Sequence, residues 1–593
     1  KQWKMNLVCT VPSILCILLV HMASTLPVSK CPSVCQCSSE YYVYCQSSDI
    51  GDDQLAGVIR AVPSTAVLLD LSFNRITRLD REAFRTLPQL KILNLDSNHI
   101  KELVEGVFTG LGKLEELNLR GNKVSTLSNT SFYGLTSLKE LHLFGNDITS
   151  LPPSVFQNLS SLEKLHLQRN AIIELLPWSF IGLGRLQRLN LSRNLLKSIS
   201  RNTFSGLISL KRLSLSGNSI SEISSVDAFK SLANLEELLL QDNEIDNVLF
   251  MFGNDFYSSL NMVSLSGNKI TSIPSHVFPN ILNLKRIDLS FNSIRHIGGQ
   301  SFRNLYLETL HLHDNNLTEV SREMFDGARR ISELDLSRNR IDDVSTGAFD
   351  SFRETLLSLD LHSNQLTLVH PGMFRGMRRL RLCNMAANVI SGIEQDSFKD
   401  LEKLEELNLS GNKFTTLSAD SISGPVGLRK LYLVCNPMRK LVGFVFDDVA
   451  DKIFIETNST MLQSTSDSVT VTWPYMEGSQ LYWTLSVTCI TMGSSCWVPA
   501  YDAILRPYVT QVTIRDLAPN ADYFVCVRPV FLSTEVNVSQ CVHVRTQQPP
   551  PSNLHQTTAP YDGARNSAHP FTTSLFHTIF TLLLLTAPLR CLK

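Results

Sequence analysis

Leu114-Glu115-Glu116-Leu117-Asn118-Leu119-Arg120-Gly121-Asn122 is the stretch from which the rest of the chain can be read. Leu117 and Leu119 alternate with Asn118, and alternation by two sends neighbouring side chains to opposite faces of a strand. The two leucines face a core, and Asn118 faces outward. The phrase L-x-x-L-x-L-x-x-N recurs along the chain. Its final asparagines are Asn74, Asn98, Asn122, Asn146, Asn170, Asn194, Asn218, Asn243, Asn268, Asn292, Asn315, Asn339, Asn364, Asn388, Asn412 and Asn436. Successive asparagines are 23 to 25 residues apart throughout. One short strand per period, stacked at roughly 4.8 Å, gives a single parallel sheet. The asparagine is expected to turn inward and pair with backbone groups that the bend leaves unsatisfied. Ten places after it stands an apolar residue, most often phenylalanine: Phe84, Phe108, Phe132, Phe156, Phe180, Phe204, Phe278, Phe302, Phe325, Phe349, Phe374 and Phe398. These are expected to fill the wide convex side of the core.

Phrase and period together resemble the leucine-rich repeat. The fold expected is an α/β leucine-rich repeat solenoid, a curved parallel sheet of about sixteen repeats over residues 63–456. A solenoid buries one face of each repeat and offers the other as an extended binding surface. Terminal repeats need covering. Cys31-Pro-x-x-Cys35-x-Cys37, followed by Cys45, resembles the cysteine-rich N-terminal cap of extracellular leucine-rich repeat proteins, and places that cap over residues 30–62. The resemblance implies the pairs Cys31 with Cys37 and Cys35 with Cys45. The corresponding C-terminal module opens on N-P-x-x-C-x-C. Here Asn436-Pro437 begins it and the cysteines do not follow. The segment from Met438 to Glu456 is expected to cover that edge, with Phe444, Phe446, Ile453 and Ile455 as plugs.

The chain has 593 residues, 54 basic against 55 acidic, for a formal charge of −1. That is too long for one compact domain and too neutral for a typical phosphate-backbone binder, so no nucleic-acid partner is expected. Lys4 followed by the apolar run Leu7–Val20 reads as a secretory signal peptide, residues 1–29. Thirteen cysteines fit an oxidising compartment. Cys383 takes the place of a core leucine and is read as a buried free thiol. A bond from Cys383 to Cys435, two repeats away, exceeds disulfide reach.

Beyond the repeats the strands lengthen. Val469-x-Val471-x-Trp473, Leu481-x-Trp483-x-Leu485-x-Val487 and Ile514-x-x-Leu517-x-Pro519-x-x-x-Tyr523-x-Val525-x-Val527 resemble a fibronectin type III domain, an all-β sandwich over residues 457–546. Cys526 and Cys541 resemble the late-strand cysteine pair of such domains in neuronal leucine-rich repeat receptors. Cys489 and Cys496 are expected to pair locally. Residues 547–570 read as a disordered stalk rich in Pro, Ser and Thr. Residues 571–593 read as a hydrophobic anchor signal. Its threonines, His577 and Pro588 favour a GPI signal, with Asn566 as the attachment site, over a single transmembrane helix.

The outward strand positions, in order, run from Asp70, Asn94, Asn118, His142, His166, Asn190, Ser214, Leu239 and Ser264 to Asp288, His311, Asp335, Asp360, Asn384, Asn408 and Tyr432. Asp288, His311, Asp335 and Asp360 form the candidate partner-binding row. His142, Phe144 and His166 form an aromatic patch. Histidines among carboxylates can bind zinc or sense pH, but an ordinary solvated polar ladder is the reading preferred, and no metal or cofactor is expected. Seven N-x-S/T sequons stand at Asn129, Asn158, Asn190, Asn316, Asn408, Asn458 and Asn537. Glycans on Asn190 and Asn408 would leave the stretch between them free. No G-x-S-x-G, H-E-x-x-H or phosphate-binding glycine loop occurs, so no enzyme is expected. The whole resembles cell-surface leucine-rich repeat–fibronectin III proteins of the adhesion and synaptic-organiser type. That implies a tethered adhesion protein or co-receptor at the outer face of the plasma membrane, recognising an extracellular protein. An innate-immune pattern receptor or accessory, or a shed matrix protein, are the alternatives.

Overall fold

The computed structural model describes residues 31–223, 228–249, 258–278, 281–417, 421–433, 435–437 and 440–442, together with the backbone of nine later strands between 454 and 545. The chain divides into two units, residues 1–317 with 321–335, and residues 318–320 with 336–593.

The first unit opens on a hairpin, Gln36–Ser39 against Tyr42–Tyr44. Both N-terminal disulfides, Cys31–Cys37 and Cys35–Cys45, are closed around it. Its second strand then pairs in parallel with Leu68–Asp70, so the cap is also the first rung of the repeat sheet. The helix Asp52–Ala61 follows the hairpin and buries Leu55, Val58 and Ile59. From there three-residue strands stack in parallel and in register. Leu93, Leu117, Leu141 and Leu165 are mutual neighbours on successive strands, and all are fully buried.

Each repeat asparagine does what its chemistry suggested. Asn122 donates from Nδ2 to the carbonyls of Leu95 (2.9 Å) and Leu119 (3.1 Å), and its Oδ1 accepts from the Ile100 amide at 3.0 Å. One side chain therefore satisfies backbone groups of two consecutive repeats. The convex core is a stack of phenylalanines. Ring centroids are 5.8 Å apart for Phe132–Phe156, 6.3 Å for Phe156–Phe180 and 6.1 Å for Phe180–Phe204. Phe229 continues the stack 5.7 Å beyond Phe204. It stands eleven places after Asn218 rather than ten, because that repeat carries one extra residue, and the ten-place rule passes over it.

The expectation of an α/β solenoid is corrected in one respect. Among the described residues the α-helix is Asp52–Ala61, in the cap; the return segments are turns, and some carry two-residue strands such as Ser198–Ile199 with Glu222–Ile223. The reason lies in the spacing of Phe132, Leu135 and Leu138. The amide of Leu135 donates to the Phe132 carbonyl and that of Leu138 to the Leu135 carbonyl, an i to i−3 pattern. A three-residue turn keeps all three apolar side chains on the core side, which a 3.6-residue α-helix would not hold so closely in line.

In the second unit the strands Ser358–Asp360, Leu382–Asn384, Glu406–Asn408, Lys430–Tyr432 and Phe454–Glu456 stack in parallel. Ile455 stands in register with Leu431, so its segment adds a rung rather than lying across the edge; Phe444, Phe446 and Ile453 lie outside the described residues. Tyr475–Glu477 pairs in parallel with Lys440–Val442. The later strands are antiparallel, as Met461–Ser464 with Val469–Thr472 and Gln511–Ile514, and as Ala503–Leu505, Leu481–Cys489, Asp522–Phe531 and Gln540–Arg545. Cys526 and Cys541 are register partners on adjacent strands. Cys383 is buried and free. Burial, with Asp360 adding to it, pushes its thiol far above the ordinary range. Cys435 is disulfide-bonded, and its partner is neither Cys383 nor any of the four cap cysteines.

Two outcomes follow from this packing. Asn292→Ala removes donors to the carbonyls of Leu265, Leu289 and Ser290 and the acceptor for the Ile270 amide. With each buried backbone group left unpaired worth about 1–3 kcal/mol, thermal unfolding of this variant should begin well below that of the parent chain. Leu289, fully buried, has no room for a charge, so Leu289→Asp should abolish secretion; normal secretion would place Leu289 outside the core.

Candidate functional site

The outward face carries two positions per strand, flanking the buried leucine. In Glu140-Leu141-His142 both Glu140 and His142 are partly exposed while Leu141 is buried. The sequence analysis followed only the later position, and Leu239 and Ser264 there are in fact buried.

That later position has a structural use. Its side-chain oxygen accepts from the amide two residues on: Asp70 from Ser72 (2.9 Å), Asn94 from Asp96 (3.1 Å), Asn118 from Arg120 (3.0 Å), Asn190 from Ser192 (3.0 Å), Asp288 from Ser290 (3.1 Å), Asp360 from His362 (2.9 Å) and Asn408 from Ser410 (3.0 Å). Such Asx bonds cap the turn that follows the strand. Two of the expected partner-binding residues are thus engaged locally. Asp288 also accepts from the Ser290 hydroxyl at 2.6 Å and the Ser264 hydroxyl at 3.2 Å. Asp360, in the second unit, meets His362 Nδ1 at 2.7 Å and Asn384 Nδ2 at 3.0 Å. His311 stands in register between Asp288 and Asp335. Its ring lies 5.8 Å from that of His313, which packs edge-on to Phe291 at 5.1 Å. The row is therefore continuous in the first unit, but its carboxylates are anchored rather than free.

His142 and His166 depart from the Asx rule, and the structure brings them together. Their rings stack at 4.7 Å and 3°. Nε2 of each lies 3.3 Å from the same atom, Oε1 of Glu140. Lys164 holds the other oxygen of Glu140 at 2.6 Å, and Glu116 Oε1 is 3.6 Å from His142 Nε2. Burial, only partly offset by Glu140, lowers the affinity of both imidazoles for a proton, so both are neutral at physiological pH. Burial also disfavours charge on Glu140, but the Lys164 bond and the two imidazoles outweigh it and hold the carboxyl below the usual range. Glu116 goes the other way, raised by burial and by the Glu140 charge. Glu140, His142 and His166 form the one set of three potential metal-ligating side chains found among the described residues. Next to them, Phe144 carries the guanidinium of Arg120 at 5.0 Å and that of Arg169 at 5.4 Å from its ring centroid. The aromatic patch of His142, Phe144 and His166 is thus a histidine pair beside an arginine-flanked phenylalanine. Sequence reasoning missed Glu140, Glu116 and Lys164. The signal was present: each stands two residues before a position already assigned to the outward face.

The leucine rich repeat pattern matches residues 66–124, 88–148, 136–196, 184–245, 258–306, 306–355, 329–390 and 384–438. The chain belongs to the leucine-rich repeat family. Among curated proteins it is similar to Tsukushi of Gallus gallus, 27% identical over 182 residues, covering 30% of this chain and 42% of that protein. It is also similar to transforming growth factor beta activator LRRC32 of Pongo abelii, 29% identical over 191 residues, covering 30% of this chain and 28% of that protein. The chain thus spans less than half the length of either relative. A solved leucine-rich repeat protein of Leptospira interrogans superposes with a TM-score of 0.52 at 27% identity, over 66% of this chain and 95% of that one. A chain of a solved Toll–Spatzle complex of Drosophila shares the fold, with a TM-score of 0.56 at 19% identity over 71% of this chain and 62% of that one.

The capping role separates two substitutions at one position. Asp288→Asn keeps the acceptor for Ser290 and should leave the melting temperature unchanged. Asp288→Ala loses it and should be less stable by about 1 kcal/mol, read by denaturant unfolding of the two variants side by side.

Proposed function

We propose that this chain is an extracellular recognition protein that binds a protein ligand on the outward face of its repeat sheet. The observation that carries the reading is the row Asp288, His311 and Asp335, in register on neighbouring strands of a rigid sheet. Side chains already held by their own strand and turn lose little conformational entropy on binding. Clustered carboxylates favour a partner with a basic patch and hasten encounter with it. Asp360 offers the same chemistry on the second unit. The closed disulfides of the cap and the similarity to Tsukushi and to a transforming growth factor beta activator support an extracellular setting. Adhesion or co-receptor work is the role we assign. Similarity to Toll-like receptor 3 of Bos taurus, 29% identical over 179 residues and 15% of that protein, favours the innate-immune receptor as the second reading.

The remaining parts of the proposal rest on sequence. Residues 457–546 are assigned to a fibronectin type III module with the pair Cys526–Cys541, the expected local pair Cys489–Cys496 being set aside because Cys435 is itself disulfide-bonded and needs a partner outside the cap. The sequons at Asn129, Asn158, Asn190, Asn316, Asn408, Asn458 and Asn537 are assigned to glycan attachment. The signal peptide and the anchor lie outside the described residues, and no helix among the described residues is long and apolar enough to cross a membrane. We assign a GPI anchor at Asn566, which places the chain at the outer cell surface. Treating expressing cells with phosphatidylinositol-specific phospholipase C should release it; retention, with an epitope placed after Lys593 still on the mature protein, would establish a transmembrane helix.

A screen of the chain against an array of secreted and cell-surface proteins should return a ligand. The triple variant Asp288→Asn, Asp335→Asn, Asp360→Asn removes three charges and keeps, at Asp288 and Asp360, a side-chain oxygen for the turn amide. It should bind that ligand at least about tenfold more weakly, and should lose much of the salt dependence that exposed charges confer. Unchanged affinity and salt dependence would move the interface off the row.

A further inference from the structure

We propose that Glu140, His142 and His166 form a zinc-binding site on the outward face of the repeat sheet. Each of the three offers one potential ligand atom, and these atoms all lie within 4.8 Å of one another. Two ligand atoms bound to one tetrahedral zinc at about 2.0–2.1 Å are roughly 3.3–3.4 Å apart. Both the Glu140–His142 and the Glu140–His166 separations are 3.3 Å, so two of the three edges of such a site already have the required length. The third edge joins the two stacked imidazoles, whose ring centroids are 4.7 Å apart. Two imidazoles and one carboxylate with an open fourth position is the ligand set of many zinc sites, and nitrogen donors exclude magnesium and calcium as the preferred ions.

The surroundings favour a cation. Lys164 occupies the far oxygen of Glu140 at 2.6 Å, which fixes the carboxylate and leaves Oε1 directed at the histidines. Glu116, 3.6 Å from His142 Nε2, brings a second carboxylate to the same place. The fold holds all of this rigidly. Glu140 and His142 flank Leu141 on one strand, and His166 and Lys164 flank Leu165 on the next; both leucines are fully buried and in register. His142 and His166 also stand where other repeats place an Asx cap, so these two repeats lack that bond and carry ligands in its place. The sheet leaves the fourth position open to solvent, for water or for a side chain of a bound molecule. The site is separate from the row proposed above for the protein ligand, and neither inference depends on the other.

Equilibrium dialysis of the purified, chelator-stripped chain against zinc chloride tests it. The chain should retain one zinc more than the double variant His142→Gln, His166→Gln. Glu140→Gln, which keeps shape and the strand intact, should weaken zinc binding by about tenfold or more. Cobalt chloride should give the visible absorption of a low-coordinate site in the parent and not in the double variant, and calcium and magnesium should not compete. The melting temperature of the metal-free variants should match that of the metal-free parent, since neither histidine is fully buried. Equal zinc content in parent and double variant would overturn the proposal, as would a parent that retains none. If the double variant does not fold, the same comparison made with Glu140→Gln and with His166→Gln alone decides it.

Discussion

The buried asparagine amide is the interaction on which the rest depends. A strand of three residues cannot by itself account for the backbone groups of a 24-residue turn. The bend after it would bury carbonyls with no partner, at a cost of about 1–3 kcal/mol each. Asn122 closes that deficit with a single side chain that reaches Leu95 in the repeat before, Leu119 in its own, and the Ile100 amide. Because each amide ties its repeat to its neighbours, the strands are locked in register, and register keeps every core leucine over the next. Glutamine would place its amide one methylene too far, and aspartate would supply no donor for the carbonyls. The tight period is the trace of that requirement in the sequence.

The convex side obeys a weaker rule, and this is where sequence and structure part. Phenylalanine rings need only stack at 5.6–6.4 Å, whichever residue in the turn supplies them. Phe229 enters one place late and still joins Phe204. A rule of position misses it where a rule of packing does not. The return segments likewise gave no sign that they would turn by three residues rather than form helix, since Phe132, Leu135 and Leu138 suit either period over so short a run. The N-terminal cap was legible because its cysteine spacing is specific. Cys435 was not, because a single cysteine beside the last repeat asparagine has no spacing to read, and its bond shows only in three dimensions.

Legibility of the outward face was of a third kind. Alternation placed Asp288, His311 and Asp335 correctly on one surface, but suggested that they project freely. The Asx bonds explain why Asp and Asn dominate that position: the carboxylate of Asp288 is fixed by Ser290 and Ser264 before any ligand arrives. Composition at the position is thus set largely by turn capping. An aspartate in this row therefore serves the turn and the surface charge together, and a residue without a carboxylate or amide oxygen at the same position becomes an informative sign of another use.

Histidine is such a residue. It offers no carboxylate or amide oxygen for the amide two places on, so His142 and His166 give up a bond that Asn118 and Asn190 make on the strands to either side. The loss falls on two adjacent repeats, and the side chains it frees converge on one oxygen of one glutamate. Glu140 is placed there by the same alternation that places His142, and Lys164 by the alternation that places His166. The uniform scaffold therefore does two things at once. Where the outward position carries Asx it closes the turn, and where it carries histidine it presents nitrogen at a spacing set by the parallel strands. Strand separation is the same for every repeat, so the chemistry at any point on this face is decided by which side chains occupy two positions on two neighbouring strands.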